Sequence, residues 1–180
     1  MIVLDNSAAV RMPTSSDPGA HELLRRVAGE DVLCAPHLVD TESMSAVLGL
    51  RTGGKITGSD ADAAVADFRE LPIERYEVLP LWPRLKVLRS NLSAYDAAYV
   101  ALAEALDVPM ITADARMARS GAARCPLEVF GWHGRSLTGP ARLVRCGTVP
   151  LRRRRGGSAS GRGQSFFAVF LSARLSWADM

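Results

Sequence analysis

Three short apolar runs constrain the fold of this chain more than any other feature: "MIVLD" at 1–5, "DVLCAP" at 31–36 and "VPMITAD" at 108–114. A strand that is apolar on both faces must be covered on both faces, which is the situation of a strand in a parallel sheet. The stretches between the runs supply the covering helices. "SSDPG" (15–19) is helix-start chemistry for "AHELLRRVAG", which ends on Gly29. "HLVDTESMSAVLGLRTGG" reads as a helix closing at Gly53 and Gly54, and "SDADAAVADFRELP" carries a helical apolar rhythm that stops before Pro72. "IERYEVL" alternates as a strand does. "LWPRLKVLRSN" and "SAYDAAYVALAEALD" are helical, "ARMARSG" is a short helical turn, and "CPLEVFG" is a last strand. Strands alternating with helices give an α/β fold with a central parallel sheet flanked by helices on both faces.

Ligand sites in such sheets lie beyond the carboxyl ends of the strands. Asp5 closes the first strand, and Thr112 and Asp114 close the "PMITAD" strand. Glu42 falls one turn into the helix after "DVLCAP", and Asp96 opens the helix before "PMITAD". Each acid also has an ordinary reading. Ser93 and Asp96 have capping-box spacing, Asp5 and Asp114 can cap the turns that follow them, and Glu42 alone can be an exposed helix position. Taken together they are harder to dismiss, because gathered carboxylates raise one another's pKa unless a cation compensates. No lysine or arginine directly adjoins Asp5, Glu42 or Asp96, and only Arg116 lies close to Asp114. An oxygen-only cluster suits a hard cation, Mg²⁺ or Mn²⁺, rather than zinc. Ser7 and Thr112 are small hydroxyl residues able to orient a carboxylate or a metal-bound water, or simply to cap turns. Asp40 lies nearly opposite Glu42 on its helix and is set aside.

These residues carry a resemblance. "MIVLDNSAAV", "APHLVDTESMSAV", "LPIERYEVLPLWPRLKVLRSNLSAYDAAYVALAEAL" and "VPMITADARMA" follow one another as in PIN-domain ribonuclease toxins of the VapC type, from bacterial toxin–antitoxin pairs. The resemblance covers residues 1–130, and its most specific part is "SAYDAAYVALAEAL" followed by "TAD". It implies a PIN-like three-layer fold and metal-dependent cleavage of RNA phosphodiesters with Mg²⁺ (Mn²⁺ as the alternative). It also implies a homodimer and a cognate VapB-like antitoxin whose peptide covers the site. The family's acids map onto Asp5, Glu42, Asp96 and Asp114, with Asp5 and Asp96 as principal metal ligands and Ser7 and Thr112 in support. Two rivals stand beside this reading. One is a non-catalytic RNA-binding or antitoxin-binding module of the same fold. The other is an aspartyl-phosphate phosphatase with Asp5 as nucleophile, a chemistry that favours a second acid where this chain has Ser7.

Charge divides the chain sharply. Residues 1–130 hold 13 Lys and Arg against 18 Asp and Glu, net −5, whereas residues 131–180 hold 9 Arg against one acid, net +8. The chain's +3 is therefore an average of two unlike parts. The second part, rich in Arg, Gly and Ser, is an atypical C-terminal extension expected to be poorly ordered, and its "RRRRGG" has the charge to meet RNA phosphates. No apolar run reaches the roughly 20 residues of a membrane span. The N-terminus lacks the basic start of a secretory signal, and three cysteines without CxxC spacing indicate neither a disulfide framework nor a zinc site. A cytoplasmic location is expected. Trp82, Tyr95 and Tyr99 are assigned to the core or to a dimer interface, and the three histidines are isolated.

Overall fold

The computed structural model describes residues 1–131, so the expected extension lies, after Gly131, outside the described residues. Strands β1 (Ile2–Leu4), β2 (Leu33–Pro36), β3 (Ile73–Tyr76), β4 (Met110–Thr112) and β5 (Leu127–Val129) form one sheet, ordered β3-β2-β1-β4-β5. All four pairings are parallel. The helices are α1 (Asn6–Thr14), α2 (Pro18–Ala28), α3 (Val39–Thr52), α4 (Gly58–Glu70), α5 (Trp82–Leu88), α6 (Ala94–Leu106) and α7 (Ala115–Arg119). Right-handed crossovers in this strand order put α1–α4 on one face of the sheet and α5–α6 on the other. The three-layer α/β architecture expected from the apolar runs is the one found.

The apolar runs explain the sheet directly. Ile2, Val3 and Leu4 are fully buried, as are Cys34, Ala35, Met110 and Ile111. Strand order reverses at β1, where the chain first builds outward through β2 and β3 and then returns to add β4 on the other side. A crevice opens at such a reversal, beyond the carboxyl ends of the strands. The α6 helix lies against β1, β2 and β4 with most of its length buried. Ser93 caps its start, and it ends at Asp107 in the left-handed conformation, φ 55°, with the Asp107 amide on the Ala103 and Glu104 carbonyls.

Two details depart from the sequence reading, and a third sharpens it. The α1 helix had no sequence signal, because "NSAAVRMPT" contains Pro13 and buries every residue from Ala8 to Pro13, leaving no polar face to mark its period. The full capping box belongs to α4, where Thr57 and Asp60 exchange bonds ahead of the expected Ser59 start. Of the three aromatics assigned to the core or to a dimer interface, Tyr99 is in the core at 1% exposed, and Trp82 and Tyr95 lie on the surface.

Among the described residues one basic side chain is buried within the fold. Arg11 of α1 is 1% exposed. Its guanidinium donates to the Phe130 carbonyl just past β5 and, at 2.6 Å, to Asp17 Oδ1, the cap of α2. It thereby ties α1 to the start of α2 and to the last strand. A Cβ on Gly19 would lie 2.7 Å from Arg11 Nη2, so the glycine keeps the space that this ion pair occupies. Burial pushes the Asp17 pKa up, but hydrogen bonds from Ser15 and Arg11 outweigh it and hold the group at about 2.

Two outcomes follow for stability. Arg11→Met, which leaves the buried Phe130 carbonyl without its guanidinium donor and removes the charge facing Asp17, should lower the unfolding free energy by about 1–3 kcal/mol in urea titration. Asp17 has a depressed folded-state pKa, so its contribution is complete above the ordinary value of 3.8 and is lost as pH falls toward about 2. Asp17→Asn should therefore cost on the order of 1 kcal/mol at neutral pH, allowing for solvent screening, with the gap closing in acid unfolding curves.

Candidate active site

Asp5 follows β1 without a break. Its amide bonds to the Ile111 carbonyl at 2.9 Å, continuing the sheet one residue beyond Leu4. The backbone then turns at φ −72°, ψ 151°, and Asp5 caps α1. The side chain is buried, 4% exposed, and needs donors. Thr112 Oγ1 at the end of β4 donates to Asp5 Oδ2 at 2.7 Å, the Ser7 hydroxyl donates to the same oxygen, and the Ser7 amide approaches it at 3.3 Å. A hydroxyl has a single proton, so the 3.2 Å approach of Ser7 Oγ to Thr112 Oγ1 adds no further bond. Both hydroxyl oxygens instead accept backbone amides, Ser7 from Ala113 at 2.9 Å and Thr112 from Asp114 at 3.0 Å. The Asp5 carboxylate is thus fixed through Oδ2, and among the described residues no hydrogen bond reaches Oδ1.

Asp96 sits in the first turn of α6. Its amide donates to the Ser93 hydroxyl at 3.1 Å, and that hydroxyl donates back to Asp96 Oδ2 at 2.8 Å. This is half of the expected capping box: the acid returns to the cap's hydroxyl rather than to its backbone N–H. Glu42 lies in the first turn of α3, half-buried rather than exposed, and Glu42 Oε2 accepts the Tyr99 hydroxyl at 2.7 Å.

The three acids share one electrostatic environment. Burial raises the Asp5 pKa, the Ser7 and Thr112 hydrogen bonds oppose that rise, and the Asp96 charge adds to it. Burial likewise raises Glu42, the Tyr99 bond opposes it, and Asp5 and Asp96 push it further up. Among the described residues none of the three forms an ion pair. Acids elsewhere behave differently: Asp40 pairs with Arg75 at 2.8 Å, Glu104 with Arg84 at 2.5 Å, and Glu128 with Arg26 at 2.7 Å. Asp40, set aside on helical geometry, is held in one of these pairs.

Asp114 is placed at the same end of the sheet but is electrostatically satisfied. It caps α7, and the Arg116 guanidinium grips both its oxygens at 2.8–3.1 Å. Its pKa falls, chiefly through that bond. The structure therefore gathers Asp5, Glu42 and Asp96 around one crevice, with Ser7 and Thr112 beneath Asp5, and leaves Asp114 beside them in a pair with Arg116. Tyr99 is the member of this constellation that the sequence reading assigned to the core or an interface. Its spacing of three residues from Asp96 on one helix was the available signal.

A divalent cation fits this donor set. All the donors are oxygens, and among the described residues none of the three acids forms an ion pair and no hydrogen bond reaches Asp5 Oδ1. Among the described residues no three His, Cys, Asp or Glu form a ready-made metal cage.

Comparison with known proteins identifies the family. Residues 2–122 match the PIN domain. VapC ribonuclease Mb0985 of Mycobacterium bovis and ribonuclease VapC9 of Mycobacterium tuberculosis are each 41% identical over 129 residues, covering 72% of this chain and 98% of the relative. Ribonuclease VapC12 of Mycobacterium tuberculosis is 38% identical over the same length and the same shares. Among solved structures, VapC20 of Mycobacterium tuberculosis, described as a Sarcin-Ricin loop cleaving toxin, superposes with a TM-score of 0.52. At 17% identity, covering 67% of this chain and 95% of that one, this match speaks to the fold alone. The fold, the match across two thirds of the chain and the relatives at near-full length lead to one conclusion: the chain belongs to the PIN-domain family, among its VapC-type toxins.

Proposed function

We propose that this protein is the toxin of a toxin–antitoxin pair and an Mg²⁺-dependent endoribonuclease that hydrolyses RNA phosphodiester bonds at the Asp5–Glu42–Asp96 crevice. One observation carries the reading. Three carboxylates from three separate elements stand in one another's field with no paired cation, while other acids of the domain are matched by arginine. When bound, a divalent ion orients water and neutralises charge on the phosphate being displaced. Asp5 and Asp96 would hold it, one locked from below by two hydroxyls and the other aimed by its cap. Glu42, with its pKa raised by burial and by its neighbours, is suited to accept a proton from the attacking water at neutral pH. Asp114, with its pKa lowered, remains a carboxylate at the rim and shares Arg116 with the approaching substrate anion.

The same reading gives the protein a cognate VapB-like antitoxin, whose peptide covers the crevice, and a homodimeric state. Among the described residues no helix is long and apolar enough to cross a membrane. The aspartyl-phosphate alternative gains no support: Ser7, at the position where that chemistry favours a second acid, is a donor to Asp5.

Asp5→Asn and Asp96→Asn should each reduce cleavage of a purified RNA by on the order of 100-fold or more. The fold should survive, because the raised Asp5 pKa means that the ionised group opposes folding at neutral pH. In chelator, Asp5→Asn should melt at or above the wild-type temperature. A variant that is folded and cuts RNA at the wild-type rate would remove Asp5 from the site.

Chelation supplies the second test. EDTA should abolish cleavage and Mg²⁺ or Mn²⁺ should restore it. Adding Mg²⁺ should raise the melting temperature of the wild type but not that of Asp5→Asn, since only a protein that binds the ion is stabilised by it. RNA binding that persists in EDTA with no cutting under any metal would favour the non-catalytic module.

A further inference from the structure

Tyr99 is nearly fully buried on α6, one turn beyond Asp96. A buried tyrosine hydroxyl needs a partner, and many core residues could supply a backbone carbonyl. This one instead reaches a carboxylate on α3, which lies on the opposite face of the sheet, and donates to Glu42 Oε2 at 2.7 Å. The bond thus crosses over the carboxyl end of the sheet and links the two helical layers at the crevice. Among the described residues it is the hydrogen bond that Glu42 receives, and none reaches Oε1. The arrangement parallels that of Asp5: one oxygen fastened by a hydroxyl donor, the other left for the crevice.

We infer that Tyr99 is a positioning residue for the cleavage reaction, holding Glu42 by Oε2 so that Oε1 faces the crevice beside Asp5 and Asp96. The inference rests on the ribonuclease reading of the site. By this geometry α6 sets two of the three acids, Asp96 directly and Glu42 through Tyr99. Burial and the adjacent Glu42 carboxylate both raise the Tyr99 pKa, so the phenol remains a donor throughout the working pH range. Among the described residues no other acceptor bonds the hydroxyl. Phenylalanine at this position keeps the ring's volume and removes only the donor.

The test compares the full-length wild type with Tyr99→Phe, Glu42→Gln and the double variant. Cleavage of one purified RNA is followed in Mg²⁺, and the Glu42 side-chain carboxyl ¹³C resonance is followed in metal-free protein. Tyr99→Phe should lower kcat by about 10-fold while KM stays within about 2-fold. The double variant should be no slower than Glu42→Gln, because Tyr99 acts through Glu42 and the two losses do not add. The Glu42 resonance should shift in Tyr99→Phe. A Tyr99→Phe enzyme with full kcat, additive losses in the double variant, or an unmoved resonance would each overturn the inference. A merely structural tyrosine would change the melting temperature and leave this coupling absent. If the wild type cuts no RNA in any metal while the resonance still shifts, the ribonuclease reading fails and the hold of Tyr99 on Glu42 stands.

Discussion

Burying the carboxylate of Asp5 at the end of the central strand is the constraint around which the rest of the domain is arranged. An unsatisfied charge there would cost several kcal/mol, so the fold must bring donors to it, and they come from two directions. Ser7 arrives because Asp5 caps α1 and the helix turns back over its own cap. Thr112 arrives because β4 pairs with β1 in the register Leu4 to Ile111, which sets the next residue of each strand side by side. The reversal of strand order at β1 is what makes β4 its neighbour. Topology, register and capping therefore meet at one oxygen atom, and the other oxygen of the same carboxylate is left over for chemistry.

The distribution of arginine separates structure from function in this domain. Arg11, Arg26, Arg75 and Arg84 each hold a carboxylate that ties distant elements together. The crevice acids receive hydroxyl donors instead. Hydroxyls fix direction without cancelling charge, whereas a guanidinium would do both and leave nothing to attract a cation. Asp114 is intermediate: it stands at the crevice, but its partner Arg116 is highly exposed, and a surface pair of this kind is weak enough to exchange.

Much of this was legible in the sequence, and the reasons are specific. Strands apolar on both faces, such as "IVL" and "MIT", could only be central and parallel. Acids at their ends could then be assigned to one side of the sheet before any coordinates were known. Ser93 and Gly29 marked helix ends through local chemistry that survives in the fold. What the sequence could not show was long-range. Arg11 looks like a surface arginine until Phe130 and Asp17 close over it, more than a hundred residues apart in the first case. Tyr99 looks like any core aromatic until α3 places Glu42 against it. The α1 helix was hidden because a helix buried all round, with proline in its last turn, has no alternation to read. Membership of the family supplied the list of acids, but not the division between three uncompensated carboxylates and a fourth held by arginine.

The place of β1 in the sheet has a further consequence, for the order in which the protein comes into being. Its central strand is synthesised first, yet one of its two neighbours, β4, emerges more than a hundred residues later. Until Thr112 has left the ribosome, Asp5 lacks one of its two hydroxyl donors and has no strand on that side. Contacts this far apart in sequence form late. A partly made chain therefore lacks both a neighbouring strand and a hydroxyl donor that Asp5 has in the whole domain. The strand order itself thus ties completion of the Asp5 site to synthesis of nearly the whole domain.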